Sequence, residues 1–214
     1  MGNAFSYAWS KYKDNWGPLV LITIIIVVAM AVIQFAGRQI VASAFDASEG
    51  TSLFGGAAIL GFAFNALGLI VQLVVQSGII KGSLMLTRGQ KIDVGQAFAG
   101  INWGQVILAS LITGLLTFVG LILCILPGLA VLFFTSYTLF FVIDRNLSAV
   151  DAIKASFNMV KDNVGVLILF WLATVAAQIV GACLCLVGLL VAVPVVIIAQ
   201  AYTFRTLNGD PVTA

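Results

Sequence analysis

Asn65, Gln72 and Gln76 stand seven and four residues apart in a stretch, 50 to 80, that carries no Asp, Glu, Lys or Arg. At helical spacing they share one face, and a polar face inside an apolar segment can line a path for a lipid or a small neutral solute. The competing reading is hydrogen bonding between helices, worth about 0.6 kcal/mol per pair. Gln34, Gln178 and Gln200 lie in other apolar stretches. No acidic or basic side chain sits in any of these stretches, which argues against transport coupled to a buried carboxylate.

Hydroxyls are scattered along the same stretches, densest at Thr113, Thr117, Thr135, Ser136, Tyr137 and Thr138. The chain has no His, and no Lys or carboxylate falls at their depth, so no base is present to activate a nucleophile. The missing His also removes His-based triads, HExxH zinc sites and His ligation of haem or copper. Asp144, Arg145 and Asp151 gather beyond one apolar stretch, and Arg88, Lys91 and Asp93 hold the matching place beyond another. A metal or carboxylate-pair site needs more acids closer together, so these read as charge-paired helix turns and head-group anchors. On an oxidising face, Cys124 bridged to Cys183 or Cys185 would add about 2–4 kcal/mol; the alternative is three small apolar side chains buried in helix packing. Cys183 and Cys185 lack the partners of a zinc site. The expectation is a protein that is not an enzyme and holds no cofactor and no metal.

The elements that must carry these residues follow from composition. Of the 214 residues, 62% are apolar and 8% charged, against about 45–50% and about 25% in soluble domains. A net charge of +2, dispersed along the chain, excludes the electrostatic footprint of a nucleic-acid binder. Four stretches are free of charge: 15 to 37, 50 to 80, 94 to 143 and 163 to 204. Since a span takes about 20 residues, the first two hold one helix each and the last two hold two each. Leu126-Pro127-Gly128 turns one of the long stretches back, and Gly181 with Gly188 turns the other. The predicted spans are about 18–37, 57–80, 104–123, 128–143, 164–184 and 188–204. Lys11, Lys13, Lys81, Arg88, Lys91, Arg145, Lys154, Lys161 and Arg205 then fall on one side and Arg38 alone on the other, which puts both termini in the cytoplasm. A modest external loop, about 38–56, carries Asp46 and Glu49. The first apolar run is too long for a signal-peptide core and lacks a cleavage site, so the first helix is expected to remain in the mature protein.

The segments ahead of the odd-numbered spans answer one another. Lys13-Asp14-Asn15-Trp16-Gly17 is matched by Lys161-Asp162-Asn163-Val164-Gly165 and more weakly by Ile101-Asn102-Trp103-Gly104. In each, an Asn can cap the free N–H groups of the helix that follows. Asn102 to Asn163, Cys124 to Cys185 and Asp144 to Arg205 share one offset. Upstream of two of the three lies an amphipathic helix: Leu147, Val150, Ile153, Phe157 and Val160 in one, Phe5, Trp9, Tyr12 and Trp16 in the other. A shorter version surrounds Phe98. Such helices lie in the membrane interface, aromatic side down, with Lys11, Lys13, Arg145, Lys154 and Lys161 toward anionic head groups. Ala173, Ala177 and Gly181 form a small-residue packing ridge. The predicted fold is an all-α integral membrane protein: one domain, 1–214, of six spans in three pseudo-repeats, 1–92, 93–148 and 149–214, each an interfacial helix plus two spanning helices.

The Ala4 to Trp9 opening, the Lys-Asp-Asn segments, Ile125 to Gly128, and Val142 to Asn146 leading to Ala155-Ser156-Phe157 resemble a group of bacterial six-span proteins. That group includes the membrane domain ahead of some glycerophosphodiester phosphodiesterases. The opening is most similar to the actinobacterial proline- and glycine-rich transmembrane proteins, whose Pro/Gly-rich extension is absent from these residues, as is a phosphodiesterase domain. The resemblance implies a fold and a location in the bacterial cytoplasmic membrane, and no reaction. The functional expectation is an accessory or interaction subunit of a larger membrane assembly, envelope or respiratory, or a lipid organiser, with anionic lipids and another membrane protein as partners. The alternative is a transporter or channel for a lipid or small neutral solute.

Overall fold

The computed structural model describes residues 2–14, 17, 28, 31–40, 42, 56–90, 94–183 and 187–213. Every regular element among them is helical: α1 Gly2–Asp14, α2 Gly56–Thr87, α3 Val94–Phe98, α4 Trp103–Leu123, α5 Ile125–Phe134, α6 Thr138–Arg145, α7 Ala149–Asp162, α8 Val164–Cys183 and α9 Val187–Leu207. Residues 31–40 are helical as well. Among the described residues four segments are long and apolar enough to cross a membrane, Ile59–Thr87, Trp103–Leu123, Ile125–Arg145 and Val164–Cys183, and Val191–Leu207 is a shorter apolar helix. The chain is an α-helical membrane protein. Most of the expected span 18–37, most of the loop 38–56, and Asn15, Trp16, Lys91, Asp93 and Cys185 lie outside the described residues.

The chain divides into two compact units, Val20–Gln76 and Met1–Leu19 with Ser77–Ala214. The boundary falls within α2, whose 32 residues measure about 48 Å at 1.5 Å each. In the smaller unit the 31–40 helix and α2 approach through glycines. A Cβ on Gly37 would stand 3.0 Å from Cγ of Phe64, and one on Gly68 would stand 3.1 Å from Nε2 of Gln34.

In the larger unit α4 packs on α5 and α8 on α9 as tight hairpins. The first turns at Cys124, a single residue in extended conformation. Pro127 and Gly128, expected to form the turn, lie inside the first turn of α5. Pro is tolerated there because those N–H groups have no helical partner anyway, so the span begins at Ile125 and not near 128. Gly128 meets Gly120: a Cβ on Gly120 would stand 2.9 Å from Cα of Gly128. The second hairpin repeats the device, since a Cβ on Gly188 would stand 2.5 Å from the carbonyl oxygen of Gly181. Of the expected small-residue ridge, Gly181 is buried in this contact, while Ala173 is exposed.

The fourth expected span is broken. Residues 135–137 form a turn between α5 and α6, where the Thr135 hydroxyl donates to the Val131 carbonyl at 2.7 Å and Ser136 to Phe133 at 2.8 Å. Side-chain bonds of this kind compete with the helical ladder and bend it.

The core of the larger unit sits at the end that carries the basic residues. Phe204 is fully buried, with Phe140, Phe141 and Tyr137 around its ring at centroid distances of 5.6, 4.9 and 6.4 Å. Away from this end the helices show apolar flanks: Leu111, Leu115, Phe118 and Ile122 form an exposed stripe on α4, and Leu169, Leu172, Ile179 and Val180 are exposed on α8. Apolar side chains that no protein covers are what a hydrocarbon environment requires.

Candidate functional site

Each amphipathic helix docks through one face, in which small residues recur. α1 buries Ala4, Ala8 and Tyr12, one turn apart, against α9. α7 buries Ala149, Ala152, Ser156, Met159 and Val160 against α4, α5 and α6. The larger apolar residues of the expected stripes divide: Tyr12 and Val160 are buried, but Trp9, Val150 and Phe157 are exposed at 45–49%. The Phe98 ring lies over Gly78, and the Lys81 ammonium donates to the Ala99 carbonyl, so the α3 segment rests on the end of α2.

The cations expected to meet head groups fall into two classes. Lys11 lies 5.6 Å above the Tyr7 ring, Lys13 lies 5.4 Å above Trp9, and Lys154 and Lys161 stand on the exposed side of α7. Arg145 is engaged by protein: its Nη2 donates to Asp210 at 2.6 Å, and its Nε lies 3.7 Å from Asp144. Asp144, whose side chain is 4% exposed, also holds Arg88 at 2.5 Å. The ends of α2, α6 and α9 are thereby tied together. The tail after α9 adds backbone bonds: Thr213 N–H donates to the Thr87 carbonyl at 3.0 Å, and the Tyr7 hydroxyl donates to the Thr213 carbonyl at 3.0 Å. Burial, and secondarily Tyr202, lift the Tyr7 phenol above its ordinary 10.0, with Arg205 pulling the other way.

Capping is selective. Asn102 caps α4 as expected, its Oδ1 accepting from Gln105 N–H at 3.3 Å. Asn163 does not cap forward: its side chain donates back to the Met159 carbonyl at 2.9 Å and closes the end of α7. A one-residue junction between two helices leaves orphan carbonyls behind it as well as orphan donors ahead, and the amide serves the former. Gln105 reaches α7, where its Oε1 accepts from Ala149 N–H at 2.7 Å.

Ser156, which the periodicity places only on a helix face, has a distinct task. Its fully buried hydroxyl donates to the Phe134 carbonyl at 2.8 Å and accepts from Tyr137 N–H at 3.2 Å, satisfying both sides of the break between α5 and α6. The signal in the sequence was the Thr135-Ser136-Tyr137 cluster, which marks the break rather than a reactive site. The hydroxyls of Thr113, Thr117 and Thr135 each donate to the carbonyl four residues back at 2.7–2.8 Å. Among the described residues no group of three or more acids or cysteines gathers to hold a metal. Cys124 and Cys183 are free and exposed, and their possible partner Cys185 is outside the described residues.

The polar face splits. Asn65 donates to the Gly61 carbonyl at 2.8 Å and lines a cavity of about 270 Å³ together with Gln34, Arg38 and Phe64. Gln72 and Gln76 are exposed further along α2 and are not part of its lining.

No family model matches the chain, and no solved structure does. The chain is 32% identical to the uncharacterised proteins Rv2560 of Mycobacterium tuberculosis and Mb2590 of Mycobacterium bovis over 226 aligned residues, covering 99% of this chain and 70% of each relative.

Proposed function

The chain belongs to the family of these mycobacterial proteins, and from that premise we propose a six-span protein of the bacterial cytoplasmic membrane, both termini inside, that works by contact and not by catalysis. It serves as an accessory or interaction subunit of a larger membrane assembly, envelope or respiratory, or as an organiser of lipid. The observation that carries this reading is the division of faces on the amphipathic helices. One face of each helix, Ala4, Ala8 and Tyr12 on α1 and Ala152, Ser156 and Met159 on α7, meets protein, while Trp9 and Phe157 are exposed beside Lys13, Lys154 and Lys161, an arrangement that suits an anionic membrane surface. The hydroxyls of Thr113, Thr117 and Thr135, occupied by their own helix carbonyls, support the non-catalytic part. The likeness to the membrane domain ahead of glycerophosphodiester phosphodiesterases belongs to the same proposal.

Gentle purification of the tagged protein from its native membrane, with mass spectrometry of co-purifying proteins and lipids, tests it. A stoichiometric membrane partner assigns the accessory role, and one anionic lipid enriched over the bulk membrane assigns lipid organisation. A lone protein carrying lipid in bulk proportions overturns both. The alternative, a transporter or channel for a lipid or small neutral solute, draws on the cavity at Asn65. It fails if replacing Asn65, Gln72 and Gln76 together by Leu leaves a folded protein with unaltered flux.

A further inference from the structure

The cavity of the smaller unit joins features that the periodicity of α2 alone does not connect. Gln34 and Arg38 are one turn apart on the 31–40 helix, and Gly61 and Asn65 are one turn apart on α2; all four line a space of about 270 Å³. That volume is below the roughly 300–1,000 Å³ of a drug-sized pocket and suits a head group rather than a whole lipid. Its wall is built by close approach. Gly37 lets the Phe64 ring lie against the backbone of the neighbouring helix, and Gly68 admits the Gln34 amide. Arg38 is the first charge after a run from 15 to 37 that has none, so its guanidinium belongs at head-group depth, where long cationic side chains reach the interface. Among the described residues Arg38 makes no ion pair. One N–H of the Asn65 amide is used on Gly61, and its second N–H remains to donate.

We infer that this cavity is a binding site for a phosphate-class oxyanion, with Arg38 as its bidentate cation and the Gln34 and Asn65 amides as neutral donors. A guanidinium fork matches two phosphate oxygens in a way an ammonium cannot. Phe64 supplies the apolar side against which the first methylenes of an esterified phosphate rest. The site deepens the lipid-handling reading and rests on it only for the source of the phosphate, which is a lipid head group or the free ion.

The test uses the full chain in an uncharged detergent, stripped of lipid and followed by native mass spectrometry. It is titrated with dioctanoyl phosphatidic acid and, separately, with inorganic phosphate. The expected result is one saturable lipid adduct, weakened about tenfold or more by R38Q, since the charge-assisted bonds of the guanidinium fork are removed. R38K should recover only part of the loss. Binding of phosphate alone with the same sensitivity to R38Q assigns the free ion, and binding of the lipid alone assigns the head group. The inference is overturned if folded wild-type protein binds neither, or if R38Q and Gln34→Leu bind as wild type does. Should R38Q melt below the wild type, Gln34→Leu and Asn65→Leu carry the decision. Binding of the protein to anionic vesicles through Lys154 and Lys161 is read separately by K154E with K161E, so failure at Arg38 leaves the interfacial reading standing.

Discussion

Ser156 and Tyr7 use one hydroxyl each to join segments far apart in the chain, and their costs on removal differ because their surroundings differ. The Ser156 hydroxyl is fully buried and serves a backbone donor and a backbone acceptor at once. Ser156→Ala leaves both unpaired, at about 1–3 kcal/mol for a buried orphan, and should lower the unfolding temperature in detergent by several degrees. Ser136→Ala, which removes only a bond within its own turn, should change it little. Tyr7 closes the tail over α1 through a bond to the Thr213 carbonyl. Tyr7→Phe should cost about 0.5–1.5 kcal/mol. Because burial raises the folded-state value of this phenol above 10.0, its contribution is fully present below pH 10.0 and is lost as pH rises through the higher folded value. Wild-type stability should therefore fall in that alkaline window more steeply than that of Tyr7→Phe, a difference that parallel thermal melts across pH measure.

The helices are held in pairs by missing side chains. Gly120 against Gly128 and Gly181 against Gly188 bring backbones together at both hairpins, and in a bilayer such close packing replaces the hydrophobic drive that water would supply. Gly120→Ala puts a Cβ 2.9 Å from Cα of Gly128, and backbone cannot yield as a flexible side chain does. A loss of about 1–3 kcal/mol is expected from such overpacking, read as a lower melting temperature. Gly114→Ala on the same helix is the control: nothing lies within 4 Å of its Cβ position, so it should be neutral or mildly stabilising. Helix existence was legible in the sequence because runs without charge set it. The turn at Cys124 was not, since Pro127 and Gly128 serve equally as turn residues and as the first turn of a helix. The break at 135–137 was also hidden, because what satisfies its backbone, Ser156, comes from another helix about twenty residues on. The cavity was half legible. Asn65 stood out as a polar residue in an apolar run, but its partners are Gln34 and Arg38 on the neighbouring helix and not Gln72 and Gln76 on its own, a pairing that periodicity along one helix cannot reveal.

At the scale of the whole molecule the two ends are built differently, and the difference gives topology a test. The basic end gathers the aromatic core around Phe204, the Arg88–Asp144–Arg145–Asp210 chain and the docked α1 and α7. Among the described residues of the larger unit, the opposite end carries the one-residue turn at Cys124 and the end of α8, where Cys124 and Cys183 are exposed. α7 rests on α6, α1 on α9 and the α3 segment on α2, so each amphipathic segment sits on the second helix of the hairpin before it, α1 closing back to the last. Gly120 and Gly181 stand 61 residues apart, as do Asn102 and Asn163. In the proposed threefold reading, all three second helices end on the same side. In the proposed topology, the positive charge at that side puts it in the cytoplasm. In intact cells a membrane-impermeant maleimide should therefore label a single cysteine kept at 124 or 183 in an otherwise cysteine-free chain. A cysteine placed at Lys154 should label only after the membrane is opened. The reverse pattern inverts the protein. Labelling of both positions in intact cells breaks the six-span arrangement itself, because no even number of crossings separates α7 from the Cys124 turn.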